Sequence, residues 1–252
     1  MDPMGPYDGG EGMATFVLIH GGGDVGWYWH LVEAELRGRG HDVVAPDLPC
    51  DDAAASLLDY ADAVVDAVGD RRDLIVVGQS YGGFTAPLVA DRLPVEVLVL
   101  VAGMIPAPGE SPADWWENTG HGPAVREQAG RDGGLTGNDD PFVAFYHDVP
   151  RDLAEQALSR ERGESEAAFA SPWPLDAWPA VPTRFVVCTE DRVFPAEFMR
   201  RVAGERLGVV PDEIAAGHCV ALSRPRELAD LLDGYVPDDA VRGVLRDGPL
   251  AP

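Results

Sequence analysis

Lysine is absent from this chain of 252 residues, and all 19 basic side chains are arginine. A lysine general base, a Schiff-base lysine and a lysine that grips phosphate are therefore excluded. The 43 acidic residues leave a net charge of -24, so we expect the chain to repel nucleic acid and anionic membrane surfaces. The expected partner is a small molecule rather than a polyanion.

Long apolar stretches and paired cysteines are also missing. No apolar run approaches the roughly 18 residues that a membrane-spanning helix needs. Cys50, Cys188 and Cys219 are odd in number and have no metal-ligand spacing, which argues against a disulfide framework and favours a reducing compartment. We therefore expect a cytoplasmic protein that uses no metal and no cofactor.

The first dozen residues, 1–12, are rich in Gly, Pro and Asp and lack the basic start and apolar stretch of a secretory signal. They are expected to form a disordered leader. Beyond them, apolar runs that favour strands alternate with helical patterns, such as the one that Ser56 caps and Gly69 ends. The predicted strands are 14–19, 42–45, 74–77, 95–101, 184–188 and a weaker 211–215, and the predicted helices are 27–36, 56–68, 84–90, 195–207 and 222–232.

Strands that are apolar on both faces and alternate with helices predict an α/β fold: a mostly parallel sheet of about six strands with helices on both faces. Pro211 places the last strand at an edge of that sheet. Residues 104–180 lack strand patterns, and they are expected to form a mainly helical cap inserted before the penultimate strand. The core would then consist of 13–103 and 181–252.

Four of the six tryptophans lie in the predicted cap. A cap over the carboxyl ends of parallel strands covers the place where ligands bind in such sheets, so these side chains are expected to line the substrate pocket. The alternative is that they only fix irregular backbone to the body of the protein. The four are Trp115, Trp116, Trp173 and Trp178.

The motif Gly-x-Ser-x-Gly at 78–82 follows an apolar run and precedes a helical pattern. This context is typical of a nucleophile elbow, in which strained backbone lifts the serine hydroxyl clear of the sheet. Gly78 and Gly82 are needed because side chains there would collide with neighbouring backbone. We therefore predict that Ser80 is a nucleophile; the alternative is a glycine-rich turn whose serine only caps the next helix.

A serine hydroxyl needs a base to take its proton, and the base needs an acid to hold its tautomer. Where Gly-x-Ser-x-Gly forms an elbow, the acid and then the histidine follow the serine along the chain. Of six histidines, only His218 lies beyond the strand that follows the cap. Asp191, after the strand 184–188, is the predicted acid, and its neighbour Glu190 should point the other way. A helix-start role for Asp191 is the alternative.

A tetrahedral intermediate also needs two donors for its oxyanion. The N–H of Tyr81, directly after the serine, is predicted to supply one. The second should come from the glycines after the first strand, where Gly22 is favoured and Gly23 is next, because a residue without a Cβ lets substrate approach the backbone closely. His20 is expected to buttress this loop, and Gly23 and Gln79 to line the substrate pocket.

Five blocks of sequence, taken in order, resemble the α/β-hydrolase superfamily over nearly all of 14–236. They are H-G-G-G-D-V-G-W-Y-W at 20–29, A-P-D-L at 45–48, G-Q-S-Y-G-G at 78–83, T-E-D-R-V-F-P at 189–195 and G-H-C-V-A-L-S-R-P-R-E-L at 217–228. Within it, the chain is similar to the small esterase group that includes plant methylesterases and hydroxynitrile lyases. The resemblance implies Ser80, Asp191 and His218 as the catalytic residues, with the amides of Gly22 and Tyr81 as the oxyanion hole.

Two residues depart from that group's usual pattern. Gln79 stands where the group usually has His, and Tyr81 where Leu or Phe is common, so the acyl pocket is expected to differ in shape. The group's hydroxynitrile lyases use a cap lysine to handle cyanide, and this chain has no lysine. That lyase mechanism is therefore not expected here.

Together these patterns predict a serine hydrolase that cleaves a neutral small-molecule carboxylic ester through an acyl-enzyme intermediate. The acidic surface and the tryptophan-rich cap favour uncharged, partly apolar substrates. Two alternatives stay open. One is a lyase, C–C hydrolase or cyclase of secondary metabolism that reuses the same triad, and the other is a small-molecule receptor that keeps the fold without turnover.

Overall fold

Six parallel strands form one sheet in the computed structural model, which describes residues 12–238. Their order across the sheet is β2-β1-β3-β4-β5-β6, as the predicted α/β class requires. Apart from Gly12, the predicted leader lies outside the described residues, as do residues 239–252 of the predicted core. The strands are β1 (Thr15–Ile19), β2 (Asp42–Val44), β3 (Leu74–Gln79), β4 (Val95–Val101), β5 (Thr183–Cys188) and β6 (Asp212–Ile214).

Eleven α-helices are present in the described part of the chain. The first three are α1 (His30–Gly38), α2 (Leu57–Val68) and α3 (Ala86–Arg92). Five more lie between β4 and β5: α4 (Pro112–Asn118), α5 (His121–Asp132), α6 (Pro141–Ala144), α7 (Arg151–Leu158) and α8 (Glu166–Ala170). The last three are α9 (Ala196–Leu207), α10 (Val220–Ser223) and α11 (Pro225–Asp233).

The sheet separates two apolar cores, one on each face. Alternate residues of β3 point to opposite faces, so Val76 belongs to the core that α2, α3 and α9 cover. Val77, its neighbour, belongs to the core that α1, α10 and α11 cover. Both faces of β3 are therefore buried, which explains why this strand reads as an unbroken apolar run.

The chain reverses its direction of travel across the sheet between β1 and β3. From β1 it moves outward to β2, and it then returns to place β3 on the other side of β1. The loops that leave β1 and β3 therefore diverge at the carboxyl edge and leave a crevice between them. Ligands bind in crevices of this kind in open α/β sheets, so the topology alone points to the loops after Ile19 and Gln79.

The ends of α2 follow the predicted signals. Ser56 accepts a hydrogen bond from the Asp59 N–H, and the Asp59 carboxylate accepts one from the Ser56 N–H, which completes a capping box. Gly69, directly after the helix, has a φ of 58°, a value that favours glycine. The predicted strand 95–101 and the predicted end of α9 before Gly208 are likewise confirmed.

Several predicted boundaries are wrong for local reasons. The predicted helix 27–36 begins as a 3₁₀ turn, Gly26–Trp29, before α1. The predicted helix 222–232 divides at Arg224, whose backbone is not helical because Pro225 follows and disfavours helical backbone in the residue before it. The last strand is shorter than 211–215, and Pro211 lies just before it at the sheet edge, where no ladder bond is lost.

Residues 104–180 are helical in their regular parts and contain no strand, as predicted for this stretch. Their buried apolar side chains join the two cores of the sheet: Trp115 and Trp173 enter one, and Tyr146 and Val149 enter the other. The segment is thus packed continuously with the body of the protein. The division of the chain into a core and a cap stays a prediction.

The turn between β3 and α3 leaves no space for side chains at two glycines. A Cβ on Gly78 would lie 2.7 Å from the Gly82 carbonyl oxygen and 2.8 Å from the Ala86 Cβ. A Cβ on Gly82 would lie 2.7 Å from the His20 carbonyl oxygen. The turn therefore packs directly against the end of β1, which sets how high residue 80 stands above the sheet.

We predict that Gly78→Ala destabilises the fold by about 1–3 kcal/mol, because the added methyl group collides with backbone on one side and with Ala86 on the other. Gly130→Ala is the matched control: Gly130 lies inside α5 with open space around it, and alanine there should stabilise by roughly 0.5–1 kcal/mol. Urea unfolding of the three proteins measures both effects. Equal stability of the two variants would contradict this packing.

Candidate active site

Ser80 is the first residue after β3, and its backbone is strained. Its φ is 49°, in the left-handed region that residues other than glycine seldom adopt. The Met104 N–H donates to the Ser80 carbonyl oxygen at 2.8 Å, which helps to hold this conformation. The strain turns the hydroxyl out from the carboxyl edge of the sheet, toward the loops after β5 and β6.

Three side chains that are far apart in sequence meet at this edge. His218 Nε2 lies 3.0 Å from Ser80 Oγ, and His218 Nδ1 lies 2.7 Å from Asp191 Oδ2. His218 is 3% and Asp191 5% exposed. The carboxylate accepts a hydrogen bond from Nδ1–H, so the lone pair of Nε2 faces the serine hydroxyl. A proton can pass from Ser80 to His218 in this arrangement.

Backbone groups fix the orientation of Asp191. Its Oδ1 accepts hydrogen bonds from the Val193 N–H at 2.7 Å and the Phe194 N–H at 2.8 Å, which leaves Oδ2 for the histidine. Glu190, the neighbouring acid, has an exposed side chain. Its backbone carbonyl oxygen is hydrogen-bonded to His147. The expectation that adjacent acids point in different directions is thus met.

The loop that carries His218 is held from two sides. The Gly217 N–H donates to Asp148 Oδ2 at 2.8 Å, and the Gln79 side-chain amide donates to the His218 carbonyl oxygen at 3.3 Å. The ring of Phe194 packs edge-on against the imidazole, with centroids 5.2 Å apart. Asp148 was not singled out in the sequence, because an acid in a loop between helices carries no local signal.

The glycine loop after β1 is braced by His20. The Leu48 N–H donates to His20 Nε2, so Nδ1 carries the proton and donates to the Gly21 carbonyl oxygen at 2.8 Å. Burial lowers the pKa of His20, which keeps the ring neutral in this role. A Cβ on Gly22 would lie 3.5 Å from the Tyr81 Cβ, so the two predicted oxyanion donors belong to adjacent residues in space.

One carboxyl group lies close to this loop. Glu164 Oε2 would be 3.2 Å from a Cβ on Gly22, and Glu164 Oε1 accepts a hydrogen bond from the Tyr60 hydroxyl at 2.6 Å. Burial raises the pKa of Glu164. The raised pKa favours the neutral acid, so this group adds little negative charge beside Gly22.

A cavity of about 320 Å³ opens beside Ser80 and His218. Gly23 and Gln79, which the sequence predicts for the substrate pocket, line this cavity, and so does Gly22. The other wall comes from the segment between β4 and β5, which contributes Phe145 and Tyr146. These two aromatic residues were missed, although they belong to an aromatic run, Phe-Val-Ala-Phe-Tyr, at 142–146.

The four tryptophans expected to line the pocket lie elsewhere. Trp115 and Trp173 are at most 1% exposed, and their indole N–H groups donate to the carbonyl oxygens of Ile105 and Phe84. Trp116 packs edge-on against the ring of Trp115, and Trp178 donates to the Thr183 hydroxyl. The alternative is therefore correct: these side chains fix irregular backbone to the body.

Two acids also face the cavity, Asp24 and Glu161. Burial, and then the charge of Glu161, raise the pKa of Asp24 to about 7, while the His218 charge opposes the shift. Burial raises the pKa of Glu161 as well, although a hydrogen bond from the Tyr146 hydroxyl works against it. Neither acid was singled out in the sequence, because they lie on different loops that only the fold brings together.

Other features of the described residues bear on what the site uses. Within 12–238 no group of three His, Cys, Asp or Glu side chains is arranged to hold a metal ion, and the absence of a cofactor stays a prediction. No helix in that range is long and apolar enough to cross a membrane. Cys50, Cys188 and Cys219 are all buried and free.

Known proteins with similar sequences match this chain over most of their length. The chain is similar to the probable esterase PIR7A of Oryza sativa, with 29% identity over 89% of this chain and 96% of the relative. It is 27% identical to methylesterase 7 of Arabidopsis thaliana, over 86% and 94%, and 23% identical to norfluorocurarine synthase 1 of a Strychnos species, over 88% and 95%.

Among solved structures, the crystal structure of polyneuridine aldehyde esterase matches with a TM-score of 0.70, 23% identity and coverage of 87% of this chain and 98% of that one. That similarity establishes the fold. The model of the alpha/beta hydrolase family matches residues 16–231, a range that contains the whole sheet except Thr15. The relatives support esterase activity, and the chain belongs to the alpha/beta hydrolase family.

Proposed function

We propose that the chain is a serine hydrolase that cleaves a small-molecule carboxylic ester, with Ser80 as nucleophile, His218 as general base and Asp191 as the acid that orients it. The observation that carries the proposal is the pair of contacts at His218: 3.0 Å to the serine hydroxyl and 2.7 Å to the carboxylate. Both fall within the range for proton transfer and tautomer control.

The first half of the reaction forms an acyl-enzyme. His218 Nε2 takes the hydroxyl proton as Ser80 Oγ attacks the ester carbonyl carbon. The resulting imidazolium is stabilised by Asp191, which stays ionised. When the tetrahedral intermediate collapses, the imidazolium gives its proton to the departing alkoxide, and the alcohol leaves.

The second half regenerates the enzyme. His218 takes a proton from a water molecule, whose oxygen attacks the acyl carbon. The second tetrahedral intermediate expels Ser80 Oγ, which recovers its proton from the imidazolium, and the carboxylic acid leaves. In both halves the amides of Gly22 and Tyr81 would donate to the oxyanion, each worth about 3–4 kcal/mol in related sites.

The substrate proposed here carries no negative charge. The cavity beside Ser80 is lined by apolar and aromatic groups and by two acids, which would repel an anionic ester. A small molecule fits a cavity of about 320 Å³. The free buried cysteines support a reducing compartment, and we propose the cytoplasm as the location.

A second candidate reuses the same residues without net ester hydrolysis, as a lyase, C–C hydrolase or cyclase. It is favoured by one finding: relatives of similar coverage include proteins named synthase as well as esterases. A receptor on the same fold is the remaining alternative. The experiment with Ser80 below separates the three.

We predict that Ser80→Ala abolishes labelling by a fluorophosphonate and lowers turnover of p-nitrophenyl acetate and butyrate by at least about 10³-fold. Ser159→Ala is the control, because that side chain is exposed and its hydroxyl bonds only to the Gln156 carbonyl oxygen and the Arg160 guanidinium. No labelling of the wild type would contradict both catalytic candidates and favour the receptor. Labelling without hydrolysis of any simple ester would favour the lyase, C–C hydrolase or cyclase.

We predict that Asp191→Asn lowers kcat by roughly 10³- to 10⁴-fold with little change in stability. The two backbone N–H groups at Oδ1 require an acceptor there, so the new amide nitrogen must face His218 Nδ1. Nδ1 then becomes an acceptor, and the imidazole proton moves to Nε2, where it blocks removal of the serine proton.

Glu190→Gln is the matched control at the neighbouring acid. Because this side chain is exposed, its substitution should change kcat by less than about twofold. Steady-state kinetics with p-nitrophenyl butyrate, together with thermal unfolding of each variant, provides the comparison. Equal losses of kcat in the two variants would contradict the assignment of Asp191.

A further inference from the structure

The polar groups of the cavity beside Ser80 are unusually one-sided. Apart from Ser80, His218, Cys219 and the Tyr146 hydroxyl, the polar side chains that line it are those of Asp24, Glu161 and Gln79. No arginine is among the described residues that line it. A ligand that carries hydrogen-bond donors or positive charge would match this lining.

Two of these acceptors are without a donor. Within 12–238 no side-chain hydrogen bond or ion pair engages the Asp24 carboxyl group, which faces the cavity. Gln79 is 2% exposed, and its Oε1 is buried with no hydrogen-bond partner in the same range. Asp24 is half-buried at the cavity, so its carboxyl group is an acceptor that a ligand with hydrogen-bond donors can reach.

Nearby cations are engaged elsewhere and do not fill this role. Arg162 pairs with Asp47 at 3.0 Å and with Asp51 at 3.6 Å, and Arg160 lies over the ring of Trp27. Both arginines flank Glu161 in sequence, yet neither forms an ion pair with it. These two arginines therefore form no ion pair with the acids of the cavity.

Aromatic rings complete the environment. Phe145 is 39% exposed and lines the cavity together with Tyr146. The faces of such rings attract ammonium groups, and alkylated ammonium groups most readily, because these are weakly hydrated. Carboxylates and ring faces together are the combination that proteins use for organic cations.

We propose that this cavity selects esters that bear a protonated or quaternary amine, held by Asp24 and Glu161 and by the rings of Phe145 and Tyr146. The proposal rests on the proposed esterase function and narrows its substrate class. It departs from the neutral ester that the sequence predicts, because the acids of the cavity were not foreseen. The amine lies on either the alcohol or the acyl side of the ester.

The raised pKa of Asp24 is consistent with such a ligand. At pH 7 the carboxyl group is only partly ionised in the empty cavity, and a bound ammonium would favour its ionised form. Preference for a cationic ester should therefore rise with pH through about 7. Glu161 and His218 are the titratable groups whose charges shift the pKa of Asp24, and the charge of Asp24 in turn acts on Tyr28, Tyr146 and Cys219.

The test uses matched probes. On the alcohol side they are acetylcholine and its all-carbon isostere, in which tert-butyl replaces trimethylammonium; on the acyl side they are the phenyl ester of trimethylammonio-butanoic acid and the corresponding all-carbon ester. Binding is measured by calorimetry to Ser80→Ala, which needs no turnover. We expect the cationic member of at least one pair to bind about tenfold more tightly than its isostere.

Substitutions test whether the difference in affinity between cationic and neutral esters arises in the cavity. Asp24→Asn with Glu161→Gln, added to Ser80→Ala, should reduce the affinity ratio of cationic to neutral ester to about one. Asp66→Asn with Glu117→Gln is the control, because both acids are exposed on α2 and α4 and the net charge changes equally. An unchanged ratio in the first pair of variants, or an equal fall in the control pair, overturns the proposal.

Turnover by the wild type separates this inference from the proposed function. The ratio of kcat/KM for cationic and neutral esters should exceed one and rise between pH 6 and 8, because ionisation of Asp24 favours the cationic ester. If the wild type hydrolyses both the cationic ester and its all-carbon isostere with a kcat/KM ratio at or below one, the cation site is overturned. The esterase proposal then still stands. Discrimination in binding without hydrolysis supports the cation site and counts against the esterase.

Discussion

The hydrogen bond between Asp191 and His218 joins the loops after β5 and β6, and the geometry of the site depends on it. The Asp191 carboxylate is held by two backbone N–H groups just before α9. The direction in which it accepts from His218 is therefore fixed by main chain rather than by side-chain packing. The imidazole follows that direction, and its second nitrogen reaches Ser80. Because α9 packs into one core through Phe198 and Val202, the orientation of this hydrogen-bonded pair is anchored in apolar packing.

The serine side of the site depends on a second constraint, the lack of space between β1 and β3. Gly78 and Gly82 let the turn lie against the last carbonyl groups of β1, and the strained Ser80 stands between them. The glycine loop that leaves β1 is braced by neutral His20 and therefore keeps its amides beside Tyr81. The topological switch of the sheet thus sets both the position of the hydroxyl and that of the candidate oxyanion donors.

Local signals predicted the parts of this architecture that local forces determine. The apolar run of β3, the capping box at Ser56 and the elbow motif are readable because each is decided within a few residues. The contact between residues 80, 191 and 218 was predictable from chain order, since parallel strands end at one edge. The break at Arg224 was missed although Pro225 carried its signal.

The walls of the cavity were not predictable in the same way. Asp24, Glu161 and Phe145 come from three separate loops, and their meeting depends on how α6 and α7 pack across the sheet. The tryptophans illustrate the converse, because their abundance in one segment suggested a ligand site. Their indole N–H groups instead satisfy carbonyl oxygens inside the fold. Composition indicates that a segment is aromatic, but the direction of each ring is decided by tertiary contacts.

The burial of Trp115 and Trp173 in the sheet's own core also limits how substrate can reach the serine. A hinged opening of the helices between β4 and β5 would bring both indoles into water, at roughly 4–6 kcal/mol for each ring. Such an open form would be scarce at equilibrium. Entry and product escape are then left to small rearrangements of side chains at the rim, where Phe145 is partly exposed beside the imidazole.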